Sequence, residues 1–303
     1  MNLFSVYMPI SNELLKTIAL RDGGKAVPRP KEDFFLTSNK YPIYVVADGV
    51  TLIPNERGNY PNPSGAGAIA KIFCESVISA AEKAYENFSE IALVDVFREG
   101  NQAAYEYNAS EGRTKETVDY WQHDLFAATT AFGLIKENKL YWWSLCDAGV
   151  SIFNDRDERT FTSPPCWSEK SRKKNLPQDW EKVPLIERKK ILWQKYRNGV
   201  NEQGEVIGYG VVTGEETAER YLNRGTVELT EDDLVTIYTD GYENYLNLAE
   251  FISSLRNSNN LDTFDKLSVN PEQSRRIDPF EKEKIAESPE KFGQERTLIA
   301  VIV

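Results

Sequence analysis

The sequence predicts one α+β domain in which two sheets pack face to face and helices cover them on the outside. Strand-like segments occur towards both ends of the 303-residue chain, and two amphipathic helical stretches follow one another between them. Residues 296–303 form so apolar a run that we expect them to be an interior strand. A chain of this length could hold two modest domains, but it contains no internal repeat, so we predict a single domain over 1–303.

The helices are predicted from apolar residues at three- and four-residue spacing. One such stripe runs from Ala68 to Ala80, a second helix covers 91–108, and a short helix is expected near 249–255. Runs of β-forming residues predict the strands. Besides the last strand, we expect strands at 33–37, 41–47, 126–135, 139–145, 148–153, 225–229 and 234–239.

The composition changes between about residues 154 and 204. This stretch is rich in Lys, Arg, Glu and Pro and carries scattered tryptophans, including Trp180 and Trp193. It is too polar for a second core, so we predict a flap-like insertion that lies over the body of the domain, with a helix at 183–196.

Charge and cysteine content exclude several classes of protein. The net charge of −11 disfavours a nucleic-acid partner, and no apolar run approaches the roughly 20 residues of a membrane span. The three cysteines show no CxxC spacing and there is one histidine, His123, so a disulfide framework and a zinc site are not expected. The first residues lack the features of a signal peptide. We therefore expect a cytoplasmic protein, and a monomer.

Two Asp-Gly pairs, each closing a run of β-forming residues, are the most informative chemical feature. Asp48-Gly49 and Asp240-Gly241 lie almost 200 residues apart, and each places a carboxylate where a buried strand ends. Either pair alone would be read as a hairpin turn. Together they suggest an oxygen-rich site for Mg²⁺ or Mn²⁺ at one edge of a sheet.

Further polar residues stand at the ends of other predicted strands. The full set of candidates is Glu32, Asp33, Asp48, Gly49, Asp147, Asp240, Gln294 and Glu295. Carboxylates that bridge two cations can generate a nucleophilic water, and the cations neutralise charge on a transferred phosphoryl group. A phosphate ester is therefore the substrate class that such a centre suits.

The order of these motifs resembles that of the metal-dependent type 2C protein Ser/Thr phosphatases. The segment from Glu32 to Val50 resembles the family's "ED…VxDG" opening, and Asp124 to Ala131 resembles its "GSTA" strand. Four later segments, 143–150, 209–214, 239–243 and 294–299, resemble "VGDSR", "GVLTG", "SDGLWD" and "DNxTxxxV" in the family's order. The resemblance covers about residues 28 to 303.

This resemblance implies a four-layer αββα sandwich with two metal ions at one edge between two antiparallel sheets. Asp48 would bridge both ions, the Gly49 carbonyl and Asp240 would complete the ligands, and Asp147 would help to bind a weaker third ion. Glu32 and Asp33 would be the catalytic residues, holding metal-bound waters that include the attacking one. The implied function is hydrolysis of phosphoserine and phosphothreonine in partner proteins, in signalling opposite a Ser/Thr kinase.

Three departures from the family pattern are visible in the sequence. Gln294 stands where the family has its last metal-binding Asp, and its neutral amide should bind a cation more weakly unless Glu295 replaces it. Ala148 and Gly149 replace a Ser and an Arg. The phosphate-binding Arg is one position out of register, at Arg29. A pseudophosphatase that binds phosphoproteins or a kinase without turnover therefore stays open, as does another phosphoester hydrolase on the same scaffold.

Overall fold

The computed structural model describes residues 4–9, 20–22, 25–27, 30–52, 60–119, 123–164, 176, 179–256 and 297–303. Within these ranges the helices are α1 (Gly65–Ala84), α2 (Glu90–Ser110), α3 (Leu185–Ile191) and α4 (Ala249–Arg256). The strands are β1 (Phe4–Pro9), β2 (Leu20–Asp22), β3 (Lys25–Val27), β4 (Asp33–Thr37), β5 (Ile43–Gly49), β6 (Ala128–Lys136), β7 (Lys139–Leu145), β8 (Gly149–Phe153), β9 (Arg159–Thr162), β10 (Asn223–Glu228), β11 (Leu234–Tyr238) and β12 (Thr297–Ile302).

The strands form two five-stranded antiparallel sheets and a small β2–β3 hairpin. Sheet A has the strand order β1-β12-β11-β8-β9, and sheet B has the order β10-β7-β6-β5-β4. The ends of the chain therefore pair in sheet A, whereas β4 to β7 build most of sheet B. The apolar strand β12 lies between β1 and β11, as its composition predicted.

Strand β5 shows how the two faces of sheet B are filled. Tyr44 and Val46 pack in the layer between the sheets, whereas Ile43, Val45 and Ala47 pack against the helices α1 and α2. Both faces of the strand are buried, so every position from 43 to 47 is occupied by an apolar or aromatic residue.

Strand β11 repeats this arrangement in sheet A. Val235 and Ile237 face the layer between the sheets. Leu234 and Tyr238 pack on the other side in a cluster that includes Phe251 of α4. One apolar layer lies between the two sheets, and one lies between each sheet and the helices that cover it. The predicted αββα sandwich is therefore confirmed.

Some elements differ from the sequence prediction. Strands β1, β2, β3 and β9 were not predicted, and the helix expected at 183–196 is α3 followed by a π-helical turn at Leu192–Tyr196. In the described ranges, a helix with the length and hydropathy of a membrane span is absent.

Candidate metal centre

Asp33 and Asp48 lie side by side at the edge of sheet B. In the antiparallel pairing of β4 with β5, Asp33 is directly opposite Asp48, so the two side chains share one face of the sheet. Because Tyr44 and Val46 point between the sheets, alternation places Asp48 on that same inner side. Both aspartates are half-buried.

The matching edge of sheet A supplies Thr239 and Asp240. The Thr239 hydroxyl donates a hydrogen bond of 2.8 Å to Asp33 Oδ2 and accepts one of 2.8 Å from the Thr297 backbone N–H. Asp240 opens the 3₁₀ turn Asp240–Tyr242, so this Asp-Gly pair is not a hairpin. The end of β11 and the start of β12 therefore meet the acidic edge of sheet B.

Asp147 completes the group from the turn between β7 and β8. Its side chain is exposed, and its charge acts on Asp33, Asp48 and Asp240. The preceding Cys146 has a left-handed backbone conformation with φ of 64° and is half-buried. Cys146 is thus a turn residue that follows the end of β7.

These aspartates perturb one another's ionisation. Burial, followed by repulsion from Asp33, Asp240 and Asp147, raises the pKa of Asp48 well above its ordinary value. Burial raises the pKa of Asp33 to about 6, although hydrogen bonds from Thr239 and Thr297 work against that rise. Burial, with repulsion from Asp147 and Asp33, raises the pKa of Asp240 to about 7. At neutral pH this edge favours a bound proton or a bound cation.

The donor set fits a hard divalent cation in its chemistry. All four side chains offer carboxylate oxygens, the ligands that Mg²⁺ and Mn²⁺ prefer, and a cation would relieve their repulsion. In the described ranges, however, no three Asp, Glu, His or Cys side chains form a group that could hold a metal ion as they stand. Occupation would require the carboxylates to move closer together or other segments to contribute ligands.

Glu32 lies on the opposite side of sheet B from Asp33. It is 3% exposed, and the hydroxyls of Thr51 and Ser64 donate hydrogen bonds to its carboxylate. Ser64 also caps α1, because its hydroxyl oxygen accepts a hydrogen bond of 3.4 Å from the Gly67 N–H. Glu32 is therefore a buried, hydrogen-bonded carboxylate at the N-terminus of a helix, and not a solvated charge.

Gly49 is required by close packing at this point. A Cβ atom on Gly49 would lie 2.7 Å from the carbonyl carbon and oxygen of Ala66 and 2.9 Å from Glu32 Cβ. Its N–H donates to the Glu32 carbonyl oxygen at 3.1 Å. The glycine thus lets α1 approach the strand end that carries Asp48.

Three predicted site residues, Arg29, Gln294 and Glu295, lie outside the described residues, and their roles stay predictions. Sequence reasoning missed a buried ion pair between Asp124 and Arg197. The two guanidinium–carboxylate hydrogen bonds are 2.7 and 2.9 Å long, and both side chains are 3% exposed. Both carboxylate oxygens of Asp124 accept hydrogen bonds from this arginine. The two residues are 73 positions apart, so no local pattern could have paired them.

Comparison with solved structures supports the fold independently. The S. agalactiae serine/threonine phosphatase is similar, with a TM-score of 0.54 and 14% identity over 99% of each chain. Staphylococcus aureus phosphatase Stp1 gives a TM-score of 0.51 and 12% identity, over 100% of this chain and 96% of that one. The catalytic domain of phosphatase PstP, solved with two manganese ions, gives 0.50 and 12%, over 99% and 96%.

No protein-family model matches the chain, and the search of curated proteins gives no match. At such low identity the structural likeness establishes the fold alone. The predicted resemblance to type 2C phosphatases is confirmed at that level.

Proposed function

We propose that this chain is a metal-dependent phosphatase that hydrolyses phosphoserine and phosphothreonine in proteins. The observation that carries the proposal is the acidic edge, where both sheets deliver carboxylates to one place and burial, with neighbouring negative charge, raises the pKa values of Asp33, Asp48 and Asp240. Proteins seldom gather like charges without a ligand of opposite charge, and perturbed pKa values of this kind concentrate at functional sites.

Asp48 and Asp240 would hold two Mg²⁺ or Mn²⁺ ions, with Asp147 and the Gly49 carbonyl contributing and Gln294 or Glu295 supplying a last ligand. When bound, such cations acidify water and neutralise charge on a phosphoryl group. Asp33 is held at Oδ2 by the Thr239 hydroxyl and has a raised pKa, so it is suited to accept a proton at its carboxylate.

The remaining residues would orient the site. Glu32, fixed by Thr51 and Ser64, holds the start of α1 against Gly49 and so positions the strand end that carries Asp48. Arg29 would bind the substrate phosphate. The same proposal includes a single domain over 1–303, a monomeric state, a cytoplasmic location and a functional relation to a Ser/Thr kinase.

A second candidate is a pseudophosphatase that binds a phosphoprotein without hydrolysing it. Two observations favour it: Gln294 brings no charge to the predicted last ligand position, and the described residues contain no ready-made group of three metal ligands.

Hydrolysis of p-nitrophenyl phosphate and of a phosphothreonine peptide separates the two candidates. Each substrate is incubated with Mn²⁺, with Mg²⁺ and with a chelator. We expect turnover that depends on the metal ion and is lost on chelation. A protein that binds Mn²⁺ and the peptide but releases no phosphate would instead be a pseudophosphatase.

A further inference from the structure

The far end of the insertion is fixed to the body of the domain by buried charges. Arg197 lies directly after the π-helical turn 192–196, and its guanidinium makes the two bonds to Asp124 described above. Burial opposes the charge on Arg197, but attraction to Asp124 outweighs this and the pKa of Arg197 is raised. Such a fork-to-carboxylate pair holds one relative orientation of its two segments.

The next residue strengthens this attachment. The buried Asn198 side-chain amide donates to the Val211 carbonyl oxygen, the Thr213 hydroxyl and the Glu215 carboxylate, each at 3.0 Å. Its carbonyl oxygen accepts from the Val211 N–H at 2.9 Å. We call Arg197, Asn198 and Asp124 the latch.

The latch connects directly to the strand beside the acidic edge. Asp124 lies four residues before Ala128, which is opposite Gly49 in the pairing of β5 with β6. The Ala127 carbonyl oxygen accepts from the Val50 N–H at 2.8 Å, and Ala128 pairs with Val212. The end of the insertion is therefore held within a few residues of Asp48.

The insertion differs from the rest of the chain in charge. Residues 154–204 contain twelve Lys and Arg against eight Asp and Glu, although the whole chain has a net charge of −11. Just before the latch, Trp193 and Tyr196 are buried, whereas Lys190 and Lys195 are exposed. The segment thus turns an apolar side to the body and a basic side to solvent.

We propose that Arg197 and Asp124 are positioning residues that hold this basic segment beside the acidic edge, where Lys190 and Lys195 select phosphopeptides with acidic flanking residues. The proposal rests on the proposed phosphatase function. Acidic residues beside the phosphorylated residue would meet positive charge on the insertion, and would otherwise be repelled by an acidic protein.

The test measures kcat and KM on three substrates: a phosphothreonine peptide with acidic flanks, the same peptide with neutral flanks, and p-nitrophenyl phosphate. Lys190→Glu/Lys195→Glu should raise KM for the acidic peptide roughly five- to tenfold, the effect of one or two exposed charge pairs, and leave p-nitrophenyl phosphate unchanged. High salt should reduce the preference of the wild-type protein for the acidic peptide.

The latch is tested with Arg197→Met/Asp124→Asn, which removes both buried charges so that neither is left unpaired. The preference for the acidic peptide should disappear while turnover of p-nitrophenyl phosphate stays within about twofold, a KM effect and not a loss of chemistry. Arg197→Lys keeps the positive charge, so this variant should retain part of the preference for the acidic peptide. The control is Arg98→Met/Glu219→Gln, which removes an ion pair outside the insertion and should preserve the preference.

A preference that survives in Arg197→Met/Asp124→Asn, or a proportional loss on all three substrates, would overturn the proposal. If the wild-type protein hydrolyses nothing with Mn²⁺, the proposed function fails instead. Fluorescence anisotropy of the two labelled peptides then decides the inference separately, because equal binding of acidic and neutral peptides by the wild-type protein would refute it.

Discussion

Two polar centres lie near the start of β6 and differ in how their charges are balanced. At the acidic edge, burial and then neighbouring negative charge raise the pKa values of Asp33, Asp48 and Asp240. At the latch, a carboxylate as buried as any in the described chain is matched by one guanidinium. Opposite charges that pair with each other hold two segments together, so the latch is structural. Like charges that are held close together are typical of a functional site, where a ligand of opposite charge can bind.

Removal of a carboxylate from the acidic edge should have the largest effect on activity. Asp48→Ala and Asp240→Ala should each lower Mn²⁺-dependent phosphatase activity by at least about 10²–10³-fold, the scale for loss of one essential electrostatic group. The metal-free protein should be no less stable, because repulsion is relieved. Activity assays and thermal unfolding of both variants check this. Near-wild-type turnover at saturating Mn²⁺ would mean that the site is assigned wrongly.

At the latch the effect should fall on stability. Asp124→Ala leaves Arg197 buried without its carboxylate, which should cost about 3–5 kcal/mol in the free energy of unfolding. Urea unfolding measures this, and Arg197→Met/Asp124→Asn should recover most of the loss. If Asp124→Ala were harmless, the pair would not be the matched centre described above.

Gln294→Asp introduces a carboxylate at the predicted last ligand position. If this residue reaches the metal ions, the substitution should tighten Mn²⁺ binding by about 1–3 kcal/mol, scaled from hydrogen bonds to ionised groups. Calorimetric titration gives the affinity, and Glu295→Ala is the companion variant. Should Glu295 act as the ligand, its loss would abolish binding and Gln294→Asp would do little. Unchanged affinity in both variants would place the segment away from the metals.

The smallest expected effect is on the pH dependence of stability. Asp33 and Asp240 have raised pKa values of about 6 and about 7, so between about pH 4 and 7 the folded metal-free protein binds more protons than the unfolded chain. Its free energy of unfolding should therefore fall as the pH rises through this window, by about 1–2 kcal/mol after allowance for solvent screening. Saturating Mn²⁺ should flatten the slope, and thermal unfolding in chelator and in Mn²⁺ tests both statements.

Local sequence patterns predicted most of the fold. The spacing of apolar residues located α1 and α2, and β-forming runs located the strands of sheet B and the interior strand β12. Strand β9 was not predicted, because an exposed edge strand needs no alternation of apolar residues and three of its four residues are exposed. Residues 4–9 gave no sequence signal that we recognised, although β1 pairs with β12 along its full length.

The acidic edge could be anticipated for a similar reason. Each Asp-Gly pair sits at a strand end, so its position follows from a local pattern. The side of sheet B that the Glu32 carboxylate faces could not be predicted, because it depends on hydrogen bonds from Thr51 and Ser64. The ion pair of the latch could not be predicted, because its two residues are 73 positions apart and no local sequence pattern links them.

The hydrogen bond from Thr239 to Asp33 has a mechanical consequence. Thr239 belongs to the end of sheet A and Asp33 to sheet B, so the spacing of the acidic groups is set by the thickness of the apolar layer between the sheets. Val46 and Ile237 form part of that layer and help to set its thickness. A smaller side chain in this layer, as in Ile237→Ala, would let the two sheets approach or shift relative to each other. The distance between the carboxylates at the edge would then change, although the substitution lies in the interior.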